Sequence, residues 1–123
     1  MKRFLFLALL AASASGFSAD KRPAPTAAAA EIEHLLDYLS QSRCQFERNG
    51  RWHSAHEARA HLERKLRHGR KGNADPSAEY FIQHAATGSS LTGKPYQVRC
   101  PGKPVVASAD WFGAELRRRR AGD

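Results

Sequence analysis

The N-terminal segment determines how much of this chain is available for folding. Two basic residues follow Met1, an uninterrupted apolar run occupies residues 4–12, and small residues continue to Gly16. This order is typical of a secretory signal peptide, and the run is shorter than the ~20 apolar residues that a membrane-spanning helix needs. We therefore predict that residues 1–19 are a signal peptide, cleaved between Ala14 and Ala19. The alternative is a buried N-terminal helix.

The residues after this segment divide the rest of the chain. Residues 20–30 combine two prolines with alanines and charged residues, and too few large apolar side chains to form a core. We predict a disordered linker over 20–30, a single small domain over 31–118 and a disordered basic tail over 119–123. A domain of this size buries a modest core, so a covalent cross-link would matter for its stability.

The two cysteines, Cys44 and Cys100, are the only ones in the sequence. Two cysteines in a short exported chain are expected to form a disulfide, and they lack the C-x-x-C spacing of a redox-active pair. Closing a loop of this length stabilises a fold by about 4 kcal/mol in the chain-entropy model. We predict a structural disulfide between them.

The periodicity of apolar residues predicts an α+β fold. Residues 31–42 carry four apolar side chains at the spacing of one helical stripe, and residues 96–100 alternate as a strand does. The Asn49-Gly50 pair is typical of a tight β-hairpin turn. We expect about four short helices and a small antiparallel sheet. The predicted stripe of the first helix consists of Ile32, Leu35, Leu36 and Leu39.

Capping signals mark the other helices. Ser54 and Glu57 form a capping box before a helix that would end at Gly69. Asp75 and Pro76 would cap and open a third helix that ends at Gly88, and Ser108 would cap a last one. The apolar residues of the last helix are Trp111, Phe112 and Leu116.

The charge is strongly positive. The formal net charge is +8, and loss of Lys2 and Arg3 with the signal leaves +6, concentrated in residues 59–71 and 117–120. Such a field attracts anions whatever the fold. In the periplasm we expect an anionic envelope component as partner rather than nucleic acid, and we expect no transmembrane segment after signal cleavage. The other interpretation is a solvated basic surface that only aids solubility.

Several ordered motifs resemble the YfeK-like proteins, a family of small exported proteobacterial proteins with a domain of unknown function. The resemblance runs over most of residues 31–116, and it implies a periplasmic protein of a Gram-negative bacterium without implying an activity. Residues that carry it include Glu31, His34, Cys44, Phe46, Arg48, Asn49, Gly50, Glu57, His61, Lys65, Phe81, Ser89, Gly93, Tyr96, Trp111 and Leu116.

The sequence contains no recognisable metalloprotease motif. His53, His56 and Glu57 stand in the order H-x-x-H-E, which is neither of the zinc-protease motifs, and Arg64 lies on the same helical stripe as Glu57 and His61. We predict neither a metal site nor a cofactor. A solvated, partly paired helix face is the simpler interpretation of these residues.

The remaining polar residues are candidates for binding a ligand. The segment from Ser89 to Tyr96 follows a helix end and leads into a strand, so its hydroxyls and lysine would form a rim on rigid elements, or would simply cap the turn. We predict a non-catalytic binding or envelope-associated module. The alternatives are a small hydrolase that uses His61 with the loop of residues 89–94, and an electrostatic binder that uses Arg117, Arg118, Arg119 and Arg120. The candidate ligand-binding residues are Arg48, His61, Ser89, Ser90, Lys94 and Tyr96.

Overall fold

A computed structural model describes residues 26–69 and 76–122, and within these ranges it confirms the α+β prediction. The predicted signal peptide and most of the predicted linker lie outside the described residues. The elements, in chain order, are α1 (Ala27–Gln41), β1 (Gln45–Arg48), β2 (Arg51–Ser54), α2 (Ala55–Gly69), α3 (Ala78–Phe81) with a π-helical continuation (Ile82–Ala86), β3 (Gln97–Arg99), β4 (Val106–Ala107) and α4 (Ser108–Arg120).

The first helix begins earlier than predicted. Its apolar stripe is buried as expected, but α1 starts at Ala27, inside the predicted linker. The side chain of Thr26 accepts a hydrogen bond from the backbone N–H of Ala29 at 3.1 Å. A cap of this kind satisfies an N–H that the helix leaves free, and alanine has the highest helix propensity, so the alanine run joins the helix.

The sheet forms between strands that are distant in the chain. Its order is β2-β1-β3-β4, with every neighbouring pair antiparallel. Asn49 and Gly50 have φ values of 50° and 81°, the positive values that the predicted turn requires. Cys44 precedes β1 and Cys100 follows β3, its sheet neighbour, and the predicted disulfide between them is present with a Cα–Cα distance of 4.1 Å.

Helix α2 begins at the predicted residue. The Ser54 hydroxyl accepts from the backbone N–H of Glu57 at 3.2 Å, which is half of the predicted capping box. The Glu57 carboxylate instead lies 3.0 Å from Nδ1 of His53. Since α2 buries only Ala55 and Leu62 fully, most of its surface is left for polar contacts.

The third helix differs from its prediction. Ser77 is its N-cap and accepts from the backbone N–H of Tyr80 at 3.0 Å, while the predicted cap, Asp75, lies outside the described residues. After one α-helical turn the chain widens into π-helix, and the Thr87 hydroxyl donates to the Ile82 carbonyl at 2.6 Å. This bond satisfies one of the carbonyls that a helix end leaves without a partner.

The predicted basic tail is partly helical. Helix α4 continues to Arg120, whose guanidinium forms ion pairs with Glu31 on α1 and Glu79 on α3. This corrects the predicted boundary at residue 119. Carboxylates on two neighbouring helices give the last helical turn partners that the local sequence does not reveal.

The core lies between the helices and one face of the sheet. Phe81 and Phe112 are fully buried and meet edge to face at a centroid distance of 5.8 Å. Val98 of β3 and Leu35 of α1 are also fully buried. Leu62 of α2 and Phe46 of β1 belong to the same core, and this shared packing positions the site described below.

Candidate functional site

The candidate site lies where α2 passes the hairpin and the segment before β3. Residues two apart on a strand share a face, so Arg48 points to the same side of β1 as the buried Phe46. There its guanidinium contacts Nδ1 of His61 on α2. The hairpin therefore brings a strand arginine and a helix histidine together.

Tyr96 joins this pair from the other side. Its hydroxyl oxygen lies 3.0 Å from Nε2 of His61 and 3.3 Å from Nζ of Lys65, one helical turn after His61. The backbone N–H of Tyr96 donates to the Thr87 carbonyl and its carbonyl accepts from the Ser108 N–H, both at 2.9 Å. Main-chain bonds on both sides hold this tyrosine in place.

The direction of each hydrogen bond follows from the two cations. Because a guanidinium only donates, Nδ1 of His61 must accept from Arg48, so a neutral His61 carries its proton on Nε2. That proton is donated to the Tyr96 hydroxyl, which also accepts from the ammonium of Lys65. The Tyr96 hydroxyl proton then has no acceptor among the described residues. It is available to a ligand.

Burial and neighbouring cations favour the neutral form of His61. Burial is the largest cause, followed by the charges of Arg48 and Lys65, and together they lower the pKa of His61 to about 4. Burial and the charge of Arg48 also lower the pKa of Lys65. Burial raises the pKa of the Tyr96 hydroxyl. At neutral pH these shifts favour a neutral imidazole and a protonated phenol, which lie beside the basic side chains of Arg48 and Lys65.

The two cations have no carboxylate partner among the described residues. Lys65 donates to the Gly88 carbonyl at 2.8 Å, and Arg48 contacts His61. The carboxylates of Glu57 and Glu47 have other partners: Glu57 lies against His53, and Glu47 accepts from the backbone N–H of Gly50 at 2.9 Å. The positive charge at the site is left uncompensated by its immediate contacts.

Two adjoining cavities open at these residues. We call the first the basic cleft; it measures about 510 Å³. We call the second the apolar cavity; it measures about 300 Å³. Arg48, His53, His61 and Tyr96 line both. The residues specific to the basic cleft include Arg51, Lys65, Ser90 and Leu91, and those specific to the apolar cavity include Phe46, Ala58 and Leu62.

The structure brings some predicted site residues together and separates one. Ser90 lines the basic cleft near Arg48, His61 and Tyr96. The Lys94 side chain is exposed and does not line either cavity. Lys94 belongs instead to the turn, where its carbonyl accepts from the Ser89 N–H at 2.9 Å.

Ser89 lines the basic cleft but also closes the turn. It is buried, and its hydroxyl oxygen accepts from the backbone N–H groups of Leu91 and Thr92, both at 3.2 Å. The Asn49 amide donates to the same oxygen at 3.4 Å and its carbonyl oxygen accepts from the Thr92 hydroxyl at 2.9 Å. Asn49 therefore ties the hairpin turn to this loop, a role not assigned to it from the sequence.

Lys65 is the main site residue that sequence reasoning missed. Besides its place among the residues that carry the family resemblance, one signal was its spacing, because residues i and i+4 on a helix share a face and Lys65 follows His61 by four. Lysines at such positions are usually solvated, so the spacing alone did not distinguish it. Its contact with the Gly88 carbonyl depends on the chain path after the π-helical turn.

The surroundings of His61 differ from those in a serine hydrolase. In a Ser-His-Asp triad a carboxylate accepts from Nδ1 of the histidine, whereas here Nδ1 accepts from an arginine. Within residues 26–69 and 76–122, no group of three His, Cys, Asp or Glu side chains is placed to hold a metal ion. None of the helices described in these ranges is long and apolar enough to cross a membrane.

Comparison with known proteins places the chain among relatives without an assigned activity. It is 45% identical over 68 residues to "Uncharacterized protein YfeK" from Salmonella typhimurium, and the aligned part covers 54% of this chain and 55% of the relative. The match thus spans about half of each chain. No solved structure matches. The model of a family of unknown function, DUF5329, matches residues 26–120, and the chain belongs to that family.

Proposed function

We propose that this protein is exported to the periplasm and binds a small anionic ligand in the basic cleft without transforming it chemically. One observation carries the binding proposal: Arg48, Lys65 and Tyr96 line the same cleft, and the carboxylates of Glu57 and Glu47 have other partners.

Export is supported by two independent features. The N-terminal order of basic, apolar and small residues is that of a signal peptide, and Cys44 and Cys100 are paired in a disulfide. Disulfides persist mainly in oxidising compartments. The relative's name assigns no location, so the periplasm is an inference from this chain alone.

Anion binding is supported by the electrostatics of the cleft. Two like charges held near each other at a partly desolvated site repel, and an anion between them relieves that repulsion. Arg48 also offers the forked donor geometry that suits phosphate and carboxylate groups. The phenol of Tyr96 adds a neutral donor whose proton has no acceptor in the described part of the chain.

The hydrogen bonds of His61 favour a binding role over hydrolysis. Both ring nitrogens take part in hydrogen bonds within the site, and the charge of Arg48 favours the neutral ring. A general base must take up a proton during the reaction, and the neighbouring cations oppose that step. The imidazole therefore acts best as a spacer between the arginine and the tyrosine.

The alternative binder, the run of arginines at residues 117–120, is less well suited to capture anions. Arg118 pairs with the buried Glu115, and Arg120 with Glu31 and Glu79. Arg119 lies 4.0 Å from the Glu31 carboxylate. Since these guanidinium groups already have carboxylate partners, an anionic ligand would have to compete with them.

The test is calorimetric titration of the mature protein with inorganic phosphate and with acetate at low salt. We expect binding of at least one anion that weakens as salt rises, and at least tenfold weaker binding in Arg48→Gln and Lys65→Gln. Arg67→Gln is the matched control, because Arg67 lies on the exposed side of α2 and lines neither cavity. Equal loss in all three variants would contradict the assigned site, since it would indicate attraction by net charge alone.

A separate test addresses export and needs no ligand. The full-length chain, expressed in a Gram-negative host, is expected in the periplasmic fraction with a mass that corresponds to cleavage between Ala14 and Ala19. Accumulation of the uncleaved chain in the cytoplasm would contradict this part of the proposal.

A further inference from the structure

The apolar cavity adjoins the donors of the basic cleft. Arg48 and Tyr96 line both cavities, so a ligand that contacts these two residues can extend from one cavity into the other. The strand spacing of about 3.3 Å per residue places Phe46 roughly 7 Å from Arg48 on the same face. A ligand therefore needs only a few bonds between its charged group and its apolar group to contact both parts of the wall.

Helix α2 also places apolar side chains beside a polar one in the wall of the apolar cavity. Ala58 precedes His61 by three residues and Leu62 follows it, and all three line the apolar cavity. Phe46 and Leu62 are 6% and 4% exposed, so this apolar wall is part of the packed core. The small side chain of Ala58 leaves the space that a larger residue would fill.

Acidic residues also line the apolar cavity. Glu47 and Glu57 both contribute to its wall, with Arg64 as the opposing charge. The side chain of Glu57 is 64% exposed and is paired with His53. A second negative charge on the ligand would meet these carboxylates, so the part that enters the cavity is best uncharged.

We propose that the natural ligand of this site is a small amphiphilic anion, with its charged group on Arg48, Lys65 and Tyr96 and a short uncharged apolar group in the apolar cavity against Phe46, Ala58 and Leu62. The inference rests on the proposed anion-binding function and adds the class of ligand. A volume of about 300 Å³ is at the lower end for small-molecule sites, so the apolar group is short.

The experiment compares anions that differ only in the apolar group. Inorganic phosphate, methyl, propyl, butyl, hexyl and dodecyl phosphate are titrated by calorimetry below their micelle-forming concentrations. We expect affinity to rise about three- to fourfold per methylene group up to a few carbons and then to level off. Acetate, butyrate and hexanoate form a parallel series that shows whether the head group is phosphate or carboxylate.

Variants that fill the apolar cavity test whether the increase in affinity with chain length arises there. Ala58→Leu should retain the affinity for inorganic phosphate, or for acetate, and lose the increase with chain length. Ala60→Leu changes an exposed position that lines the same cavity, and it is the replacement variant if Ala58→Leu does not fold. Ala114→Leu, on the exposed side of α4, is the matched control and should behave as the wild type.

The possible outcomes distinguish failure of this inference from failure of the proposed function. Binding of phosphate or acetate with no gain from the alkyl chain would overturn the inference and leave anion binding intact. A gain that continues to dodecyl phosphate, or that persists in both filled variants, would also overturn it, because the chain would then lie outside the cavity. Absence of binding to every anion would overturn both.

Discussion

Nε2 of His61 lies 3.0 Å from the hydroxyl of Tyr96, although the two residues are 35 positions apart in the chain. This contact joins α2 to the segment before β3 and holds the imidazole between a phenol and the guanidinium of Arg48. Burial and the neighbouring cations, Arg48 first among them, keep this histidine neutral. The pH dependence of stability should therefore report on the protonation of His61.

Protonation of His61 is expected to destabilise the fold. Its pKa is lowered from 6.5 to about 4, so between these values the unfolded chain binds more protons and stability rises with pH. The carboxyls with lowered pKa, such as Glu115, lose their contribution only as the pH falls below about 4.5. Because His61 is only half-buried, we expect the melting temperature to fall by a few degrees from pH 7 to pH 5.

The control for this effect is His61→Gln. Glutamine does not titrate, so the variant is expected to be less stable at pH 7 yet to show a smaller change in melting temperature between pH 7 and pH 5. An unchanged pH dependence in the variant would show that another group is responsible.

The disulfide is expected to contribute a large part of the stability. It closes a loop with a sequence separation of 56, for which the chain-entropy model gives about 4 kcal/mol. The native protein should show no free thiol before reduction, and reduction should lower its melting temperature by more than ten degrees. The variant in which Cys44 and Cys100 are both replaced by serine should match the reduced protein. Two titratable thiols in the native protein would contradict the assignment.

A side chain at Gly88 is expected to destabilise the fold. A Cβ atom there would lie 2.8 Å from the Lys94 carbonyl oxygen, which is backbone and cannot move aside easily. Gly88→Ala should therefore cost about 1–3 kcal/mol of unfolding free energy by overpacking. It should also weaken anion binding, since the Gly88 carbonyl positions Lys65.

A matched glycine variant distinguishes this clash from a general loss of backbone freedom. Among the described residues, a Cβ at Gly69, the last residue of α2, would meet only the Tyr80 hydroxyl at 3.7 Å. Gly69→Ala should leave denaturant unfolding and anion binding close to wild type. Equal losses in both variants would argue against the close approach of Gly88 to Lys94.

The last turn of α4 is expected to stabilise the domain. Arg120 joins Glu31 and Glu79 on two other helices, and its hydrogen-bonded ion pairs lower the pKa of both carboxyls. Arg120→Gln should lower the melting temperature by a few degrees at low salt and by less at high salt. Arg117→Gln, an exposed change of equal charge, should have little effect, and so should removal of residues 121–123. A larger effect from Arg117→Gln would contradict this role.

The sequence determined those features that depend on neighbours in the chain. The stripe of α1, the Asn49-Gly50 turn and the start of α2 follow from local periodicity and capping, and the two cysteines left one intramolecular pairing. The limits of α1 and α4 differ from the predicted ones because Thr26 caps the alanine run and because the partners of Arg120 lie on other helices.

Only the tertiary structure decided which polar residues form a site. Arg48, His61 and Tyr96 were candidates from the sequence, but their contacts required the hairpin to pack on α2 and the chain to return after the π-helical turn. Lys65 is held at the site by a hydrogen bond to the Gly88 carbonyl, 23 positions away in the chain, whereas Lys94 lies outside both cavities. Local patterns specify secondary structure because they act through backbone hydrogen bonds, whereas a site depends on side chains that meet only after packing.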